Sequence, residues 1–400
     1  MELLFWISVF VVFYHFIGYG LLLTVLVKLK KKKPQWPNLE DEDLPNVTLL
    51  VAAYNEEEII EDKIKNSLAL NYPKDKLQIA FVTDGSSDGT NNIIQKYPQT
   101  KLFFEAPRKG KISAVNRVMP LINTPYTVFT DANVMINADG LRKMINQFQD
   151  LRVAAVSGEK TILKQEEDSA SGTGEGFYWK YESFLKRKDA EYNTMVGSAG
   201  ELFAIRTHLY QPIDKNTLIE DFVMTMQLAA QGYKVAYEPG AIAMETSSAT
   251  MQEEQKRKVR ISAGGIQAVI KLLPLLNFFK YGRLTFQYVS HRALRWTLLP
   301  FALVGAYISA ILLAQESWFF DLAFRLQTIF YLLAMVGYVL REAKTKAKAL
   351  HIPYYFVFMH ICVVLGWIRY FKGNQKVTWD KAKRANFEGE LSTIHVHEQA

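Results

Sequence analysis

Val47-Thr48-Leu49-Leu50-Val51-Ala52-Ala53 runs without a charged residue into Tyr54-Asn55-Glu56-Glu57-Glu58. A short uncharged run rich in Val and Leu reads as a strand covered on both faces, the environment of a parallel sheet. The acidic segment that follows repeats Ile60, Ile64 and Leu68 at helical spacing and stops at Asn71-Tyr72-Pro73. Asn55 is a candidate cap for that helix. The alternation continues, with strands expected over Leu77 to Thr83, Lys101 to Phe104 and Tyr126 to Thr130. Helices are expected over Asn91 to Tyr97 and Lys111 to Met119. Repeated β-α-β units of this kind predict an α/β fold: a Rossmann-like, mostly parallel, doubly wound sheet with helices on both faces.

Such sheets bind ligands outside the carboxyl ends of their strands, so the loops there should carry the chemistry. Three loops stand out: Ala52-Ala53-Tyr54-Asn55-Glu56, Asp84-Gly85-Ser86-Ser87-Asp88-Gly89-Thr90, and Asp131-Ala132-Asn133. The glycines of the second allow tight turns and close approach by a ligand. In the third, a carboxylate and an amide two residues apart can both face a hard divalent cation. Such a cation takes oxygen ligands and draws several of them from phosphate and water. Familiar nucleotide motifs fail: no Gly-x-Gly-x-x-Gly follows the first strand, and Gly110-Lys111 has Glu105 and Ile112 where a P-loop needs Gly and Ser/Thr. Further along, Glu220-Asp221 opens a helix-like segment to Gln231, preceded at a distance by Gly197-Ser198-Ala199-Gly200. Alone, the acidic pair reads as a solvated helix start; in line with Asp84, Asp88 and Asp131 upstream it becomes a candidate catalytic base.

The apolar residues, 49% of 400, are clustered. Leu3 to Val27 has neither charge nor proline and is long enough to cross a hydrocarbon core of roughly 30 Å. Trp296 to Gln315, Leu326 to Leu340 and Ile352 to Trp367 are three further candidates. The first segment lacks the basic start and the cleavage site of a signal peptide, and Lys28 to Lys33 follow it. That lysine run predicts an anchor with the following domain on the cytoplasmic face. Three later spans would leave the basic tail after Lys372 outside, so either one segment is re-entrant or the tail departs from the rule. The net charge of +7 is crowded beside these segments, at Lys28 to Lys33, Lys256 to Arg260 and Arg341 to Lys348. Basic residues so placed favour anionic lipid; no nucleic-acid motif accompanies them. Gly265 to Leu284 mixes Leu, Ile and Val with Lys271, Lys280 and Arg283, a pattern for interfacial helices. Arg325 is expected to snorkel. Cys362, the single cysteine, excludes an internal disulfide and reads as apolar filler. His395-x-His397 reads as part of a polar tail.

Taken together and in order, these motifs from about Val47 to Gly265 resemble the family 2 glycosyltransferases with the GT-A fold. The likeness is to their membrane-anchored branch of cellulose, hyaluronan and poly-N-acetylglucosamine synthases. The resemblance implies that Ala53, Tyr54 and Glu56 hold the nucleotide, Asp84 contacts the base and Lys111 lies near the diphosphate. It implies that Asp131 and Asn133, at the Asp-x-Asp positions, bind the sugar diphosphate and its Mg²⁺ or Mn²⁺. Gly197, Ser198, Ala199 and Gly200 would lie beside the acceptor, and Asp221 would be the catalytic base with Glu220 next to it. Arg257-Lys258-Val259-Arg260-Ile261 takes the place of Gln-x-x-Arg-Trp, so Arg260 would hold the diphosphate leaving group, with Arg257 also on the donor side. Ile261 stands where processive synthases carry the tryptophan that packs on the acceptor sugar.

The expectation is a membrane enzyme that transfers sugar, with inversion, from a nucleotide diphosphate donor, UDP-linked by preference, to a lipid-linked or surface-glycan acceptor. A processive β-polysaccharide synthase is the alternative, and an inactive subunit retaining the fold is a third. The chain is expected to divide into an anchor (1–28), a linker (29–46), the GT-A domain (47–265), interfacial helices (266–295), about three spans (296–371) and a tail (372–400).

Overall fold

Seven residues of the opening stretch, Val47–Ala53, form β1, almost wholly buried as their composition requires. A computed structural model describes residues 1–30, 36–163, 171–246, 250–340 and 348–373. It divides into an α/β unit, residues 36–163 with 193–246, and a helical unit made of the rest. The lysines at 31–33, the basic run from Arg341, and the tail with His395 and His397 lie outside the described residues.

In the α/β unit, β2 (Leu77–Asp84), β3 (Thr100–Glu105), β4 (Tyr126–Asp131), β5 (Met135–Ile136), β6 (Val153–Leu163), β7 (Leu202–Arg206) and β8 (Lys234–Thr246) join β1 in one sheet. The strand order is β3-β2-β1-β4-β7-β6-β8-β5. The first four strands are parallel, and β7 enters antiparallel between β4 and β6. The sheet is therefore mixed and mostly parallel, the GT-A arrangement expected.

Register places the site. Ala53 pairs with Thr83 and Ala52 with Asp131, so β1, β2 and β4 end side by side. Because β7 runs the other way, its first residue, Leu202, meets Thr130 near the end of β4. The Gly197–Gly200 stretch that precedes it is thereby brought to the carboxyl edge. The core beneath is built from Val47, Leu49, Val51, Ile60, Ile64, Phe81 and Val128, each less than 1% exposed. Ile60 and Ile64, the helical repeat read in the sequence, point into it from the helix Ile60–Leu68.

Asn55 does not cap that helix. Its backbone takes a left-handed φ of 52°, and its side chain accepts from Ser87 N at 2.8 Å instead. The helix begins at Ile60 after Ile59, without a side-chain cap. Bonding across to the neighbouring loop competed with the local cap, and the cross-loop partner won.

In the helical unit, Glu2–Lys28, Trp318–Val339 and Leu350–Phe371 are long and apolar enough to cross a membrane. Among the described residues there is a fourth candidate if Arg283–Trp296 and Leu299–Leu313, bent by 63°, count as one. The segment expected to begin at Trp296 thus begins at Leu299. Pro300 sits in its first turn, and the Trp296 carbonyl is taken by Trp367 Nε1 at 2.9 Å. The third segment starts at Trp318, earlier than expected, where the Ser317 side chain caps it by accepting from Phe320 N, and Asp321 and Arg325 pair along its first turns at 2.9 Å. Arg325 is paired rather than reaching outward alone.

Met251–Lys271 is a single helix running through residue 265, so the expected boundary there falls inside an element. Thr250 caps it, accepting from Glu253 N at 3.2 Å. Short helices follow at Leu273–Leu276 and Phe278–Tyr281. The helix Ser171–Tyr192 groups with this unit. Asp189 on it accepts from Tyr19 Oη at 2.5 Å and from Gln287 Nε2 at 2.9 Å, and pairs with His291 at 2.6 Å. Buried polar groups in an apolar bundle need such partners. Cys362 is fully buried among Tyr355 and Phe358, as apolar filler should be.

Candidate active site

The carboxyl ends of β1, β2 and β4 deliver polar groups to a shared cleft. Ala53, Tyr54, Glu56, Asp84, Lys111, Asp131 and Asn133 line it together with Ala52, Val82, Arg108, Gly110, Ala114 and Ala132, around about 600 Å³. Seven positions expected to hold the donor therefore converge on one surface.

The cleft is built from the backbone outward. Asp84 ends β2, and its two oxygens accept from Lys109 N at 2.9 Å and Gly110 N at 2.6 Å. That clamp fixes the turn before the helix Lys111–Val118. Lys111 is the first residue of that helix, and its Nζ lies 2.6 Å from Asp131 Oδ1 and 3.4 Å from Glu220 Oε1. Burial opposes the Lys111 ammonium, but Asp131 and Glu220 beside it hold its pKa above the usual lysine value. Arg108 stacks on the Tyr54 ring, 3.7 Å from its centroid.

Behind Asp131 the helix Ile60–Leu68 supplies two buried polar side chains one turn apart. Lys63 Nζ donates to Val134 O at 2.5 Å and Thr130 Oγ1 at 3.3 Å. Asn66 exchanges two 2.9 Å bonds with the backbone of Ile136. Burial brings the Lys63 ammonium down to about 7, with Asp131 opposing the shift. The turn carrying Asp131 and Asn133 is thus held from both sides.

Asp131 and Asn133 are oxygen donors fitted to a hard cation. The Asn133 side chain makes no hydrogen bond among the described residues, and no group of three or more His, Cys, Asp or Glu placed to hold a metal ion occurs among them. A cation on this pair would need its remaining ligands from a diphosphate and water.

The acceptor-side stretch packs on the acidic pair. Gly197 has φ +81°, and a Cβ there would lie 2.2 Å from the Phe222 ring. Ser198 Oγ donates to Asp221 O at 3.1 Å, and a Cβ on Gly200 would lie 3.3 Å from Asp221 Cγ. Asp221, in the first turn of the helix Glu220–Ala230, is held up to about 7: burial is the main cause, Glu220 and Glu201 add to it, and Lys111 opposes them. Replacing Gly197 by alanine should cost about 2 kcal/mol or more, because the left-handed backbone and the Phe222 contact are both violated. Thermal unfolding of the variant measures this; an unchanged midpoint would show that the stretch is free to move.

Arg257 and Arg260 belong to the helical unit, on Met251–Lys271, where Arg257 donates to Glu254 at 2.9 and 3.0 Å. Sequence reasoning missed Arg108, Lys63, Asn66 and the buried Lys160, whose Nζ meets Glu201 at 2.6 Å and also pairs with Glu245. Arg108 had a signal, lying three residues before Lys111. Lys63 had little, since it stands three residues after Ile60 at the edge of the helix's apolar face, where a lysine usually reaches to solvent.

A profile described as "Glycosyltransferase like family 2" matches residues 45–264. Poly-beta-1,6-N-acetyl-D-glucosamine synthase of Staphylococcus aureus strain COL is 28% identical over 59% of this chain and 58% of its own. The probable glycosyltransferase YdaM of Bacillus subtilis strain 168 is 28% identical over 62% and 61%. The chain therefore spans about three-fifths of the length of the curated relatives it matches. In fold it is similar to the mannosyltransferase PcManGT from Pyrobaculum calidifontis, solved with GDP-Man and Mn²⁺. The TM-score is 0.68 and the identity 21%, over 93% of this chain and 99% of that one.

Proposed function

This chain belongs to the family 2-like glycosyltransferases, and from that premise we propose that it transfers a sugar, with inversion, from a nucleotide diphosphate donor to a lipid-linked or surface-glycan acceptor. The observation that carries the proposal is the line Asp131–Lys111–Glu220, at 2.6 and 3.4 Å, which ties the cleft at the strand ends to the acidic pair of the helix Glu220–Ala230.

Asp221 takes the proton of the acceptor hydroxyl as its oxygen attacks the anomeric carbon. The sugar–phosphate bond breaks on the opposite face, so an α-linked donor becomes a β-glycoside. A carboxyl held up to about 7 suits that role, since a base works best with a pKa near the operating pH. Tyr54 and Arg108 offer the nucleobase a stacked face, and Asp84 holds the loop that presents Lys111. Lys111, held between Asp131 and Glu220, places positive charge in the cleft from which the diphosphate departs. Asp131 and Asn133 would hold a divalent cation, Mg²⁺ or Mn²⁺, which supplies further neutralising charge. The lysines after the first span argue for a multi-pass membrane protein with the α/β unit on the cytoplasmic face, in contact with membrane lipid.

A second reading, a processive β-polysaccharide synthase, is favoured by the relatives named poly-beta-1,6-N-acetyl-D-glucosamine synthase. Ile261 in place of an aromatic residue favours one or a few transfers. The test is a panel of UDP- and GDP-sugars given to the protein in membranes, with mass analysis of lipid-extractable and polymeric products. Additions of one to a few sugars from a UDP-sugar are expected. Ladders of many sugars would install the second reading, and nucleotide binding with no product from any donor would remove catalysis altogether.

A further inference from the structure

Asp131 is the one carboxylate of the Asp131–Asn133 pair, and an ammonium of the same chain already sits on it. Lys111 Nζ is 2.6 Å from Asp131 Oδ1, and Glu220 Oε1 waits 3.4 Å away on the other side. We propose that Lys111 is a built-in counter-ion that keeps divalent cations off Asp131 until a nucleoside diphosphate binds, and that it then passes to Glu220. The inference rests on the donor-site reading given above.

The charges favour this. With asparagine at position 133, the pair carries a single negative charge, and Lys111 cancels it. A divalent cation arriving alone would have to displace a charge-assisted bond and remain beside the displaced ammonium. A diphosphate reverses the balance, because its oxygens supply both ligands and negative charge for the cation. Lys111 then has a second partner ready. Glu220 lies in the first turn of its helix, where the helix dipole favours a carboxylate. The backbone before Lys111 cannot follow the movement, since Asp84 holds Lys109 N and Gly110 N. The transfer is confined to a flexible side chain whose surface is still 23% exposed. Loading would then be ordered, nucleotide with or before metal, and each loading event would place the ammonium against the residue preceding the base.

The test counts free Mn²⁺ by electron paramagnetic resonance over the full-length protein in detergent, without acceptor, with and without UDP or GDP. Wild type should bind Mn²⁺ at least about tenfold more tightly with nucleotide than without, the order of one charge-assisted hydrogen bond. Lys111→Gln and Lys111→Met should each bind Mn²⁺ without nucleotide about tenfold more tightly than wild type does. Lys111→Arg should behave as wild type, and Asp131→Ala should lose the site, which locates the ion counted. Wild-type affinity that ignores nucleotide, or Gln and Met variants no tighter than wild type, would overturn the counter-ion role while leaving the donor site in place. No Mn²⁺ binding by any variant with any nucleotide would overturn the donor-site reading and this inference with it.

Discussion

Asp221→Asn is expected to lower the transfer rate by about 10³-fold, within the range a positioned general base contributes, and to leave nucleotide affinity nearly unchanged. Asparagine keeps the shape beside Gly200, whose Cα–H face approaches Asp221 closely, and it cannot take a proton. Single-turnover transfer and equilibrium nucleotide binding measured on the same preparation separate the two quantities. Transfer at even a tenth of the wild-type rate would remove Asp221 from the role of base. The same carboxyl sets the pH profile. Its pKa is raised to about 7, so below that pH it is increasingly protonated and unable to accept the acceptor's proton. The transfer rate should fall about tenfold per pH unit on the acid side and level off above 7. Because Glu220 and Glu201 are two of the causes of the raised value, Glu220→Gln should move the midpoint toward acid. A midpoint that stays put would assign the profile to another group.

Asp131→Ala is expected to act on the other half of the reaction, weakening nucleotide-sugar binding by about 10²-fold. The variant loses the carboxylate of the cation pair, and it also releases Lys111 from its nearest partner at 2.6 Å. Lys111 keeps Glu220 and so remains charged in the cleft, which limits the damage to the donor side. Titration calorimetry with and without a chelator reads the effect. Wild-type affinity indifferent to chelation, or a variant that binds the donor normally, would sink the assignment of Asp131 to the cation and diphosphate. The two substitutions should thus divide cleanly, Asp221→Asn in turnover and Asp131→Ala in affinity.

Much of the fold was legible because local signals and tertiary demands agreed. Val47–Ala53 is uncharged and became a strand within the sheet. Ile60, Ile64 and Leu68 repeat at helical spacing and turned one face to the core. Where the reading went astray, a particular side-chain partner or a bend overrode a local rule. Asn55 bonds to Ser87 rather than to its own helix. The segment expected from Trp296 begins after a bend, at Leu299. The charged Asp321–Arg325 pair, which hid the start of the third apolar helix, is neutral as a unit and lies within it. Lys63 is the sharpest case. Nothing in a sequence distinguishes a solvated lysine from one buried with its ammonium on Val134 O and Thr130 Oγ1.

By itself the sequence determined the α/β class, the clustering of apolar helices, and the loops at which polar groups would gather. These follow from hydrophobic period, strand length and the rule that parallel sheets open at their carboxyl edges. Only the tertiary structure decided that β7 runs antiparallel beside β4, pairing Leu202 with Thr130. That reversal carries Gly197 to Gly200, and with them the start of the helix Glu220–Ala230, to the edge where Asp131 ends its strand. It also decided that Lys111 spans the gap between Asp131 and Glu220. Strand direction and a salt bridge across 109 positions of chain (Lys111 to Glu220) depend on which surfaces pack, and no local periodicity encodes that choice.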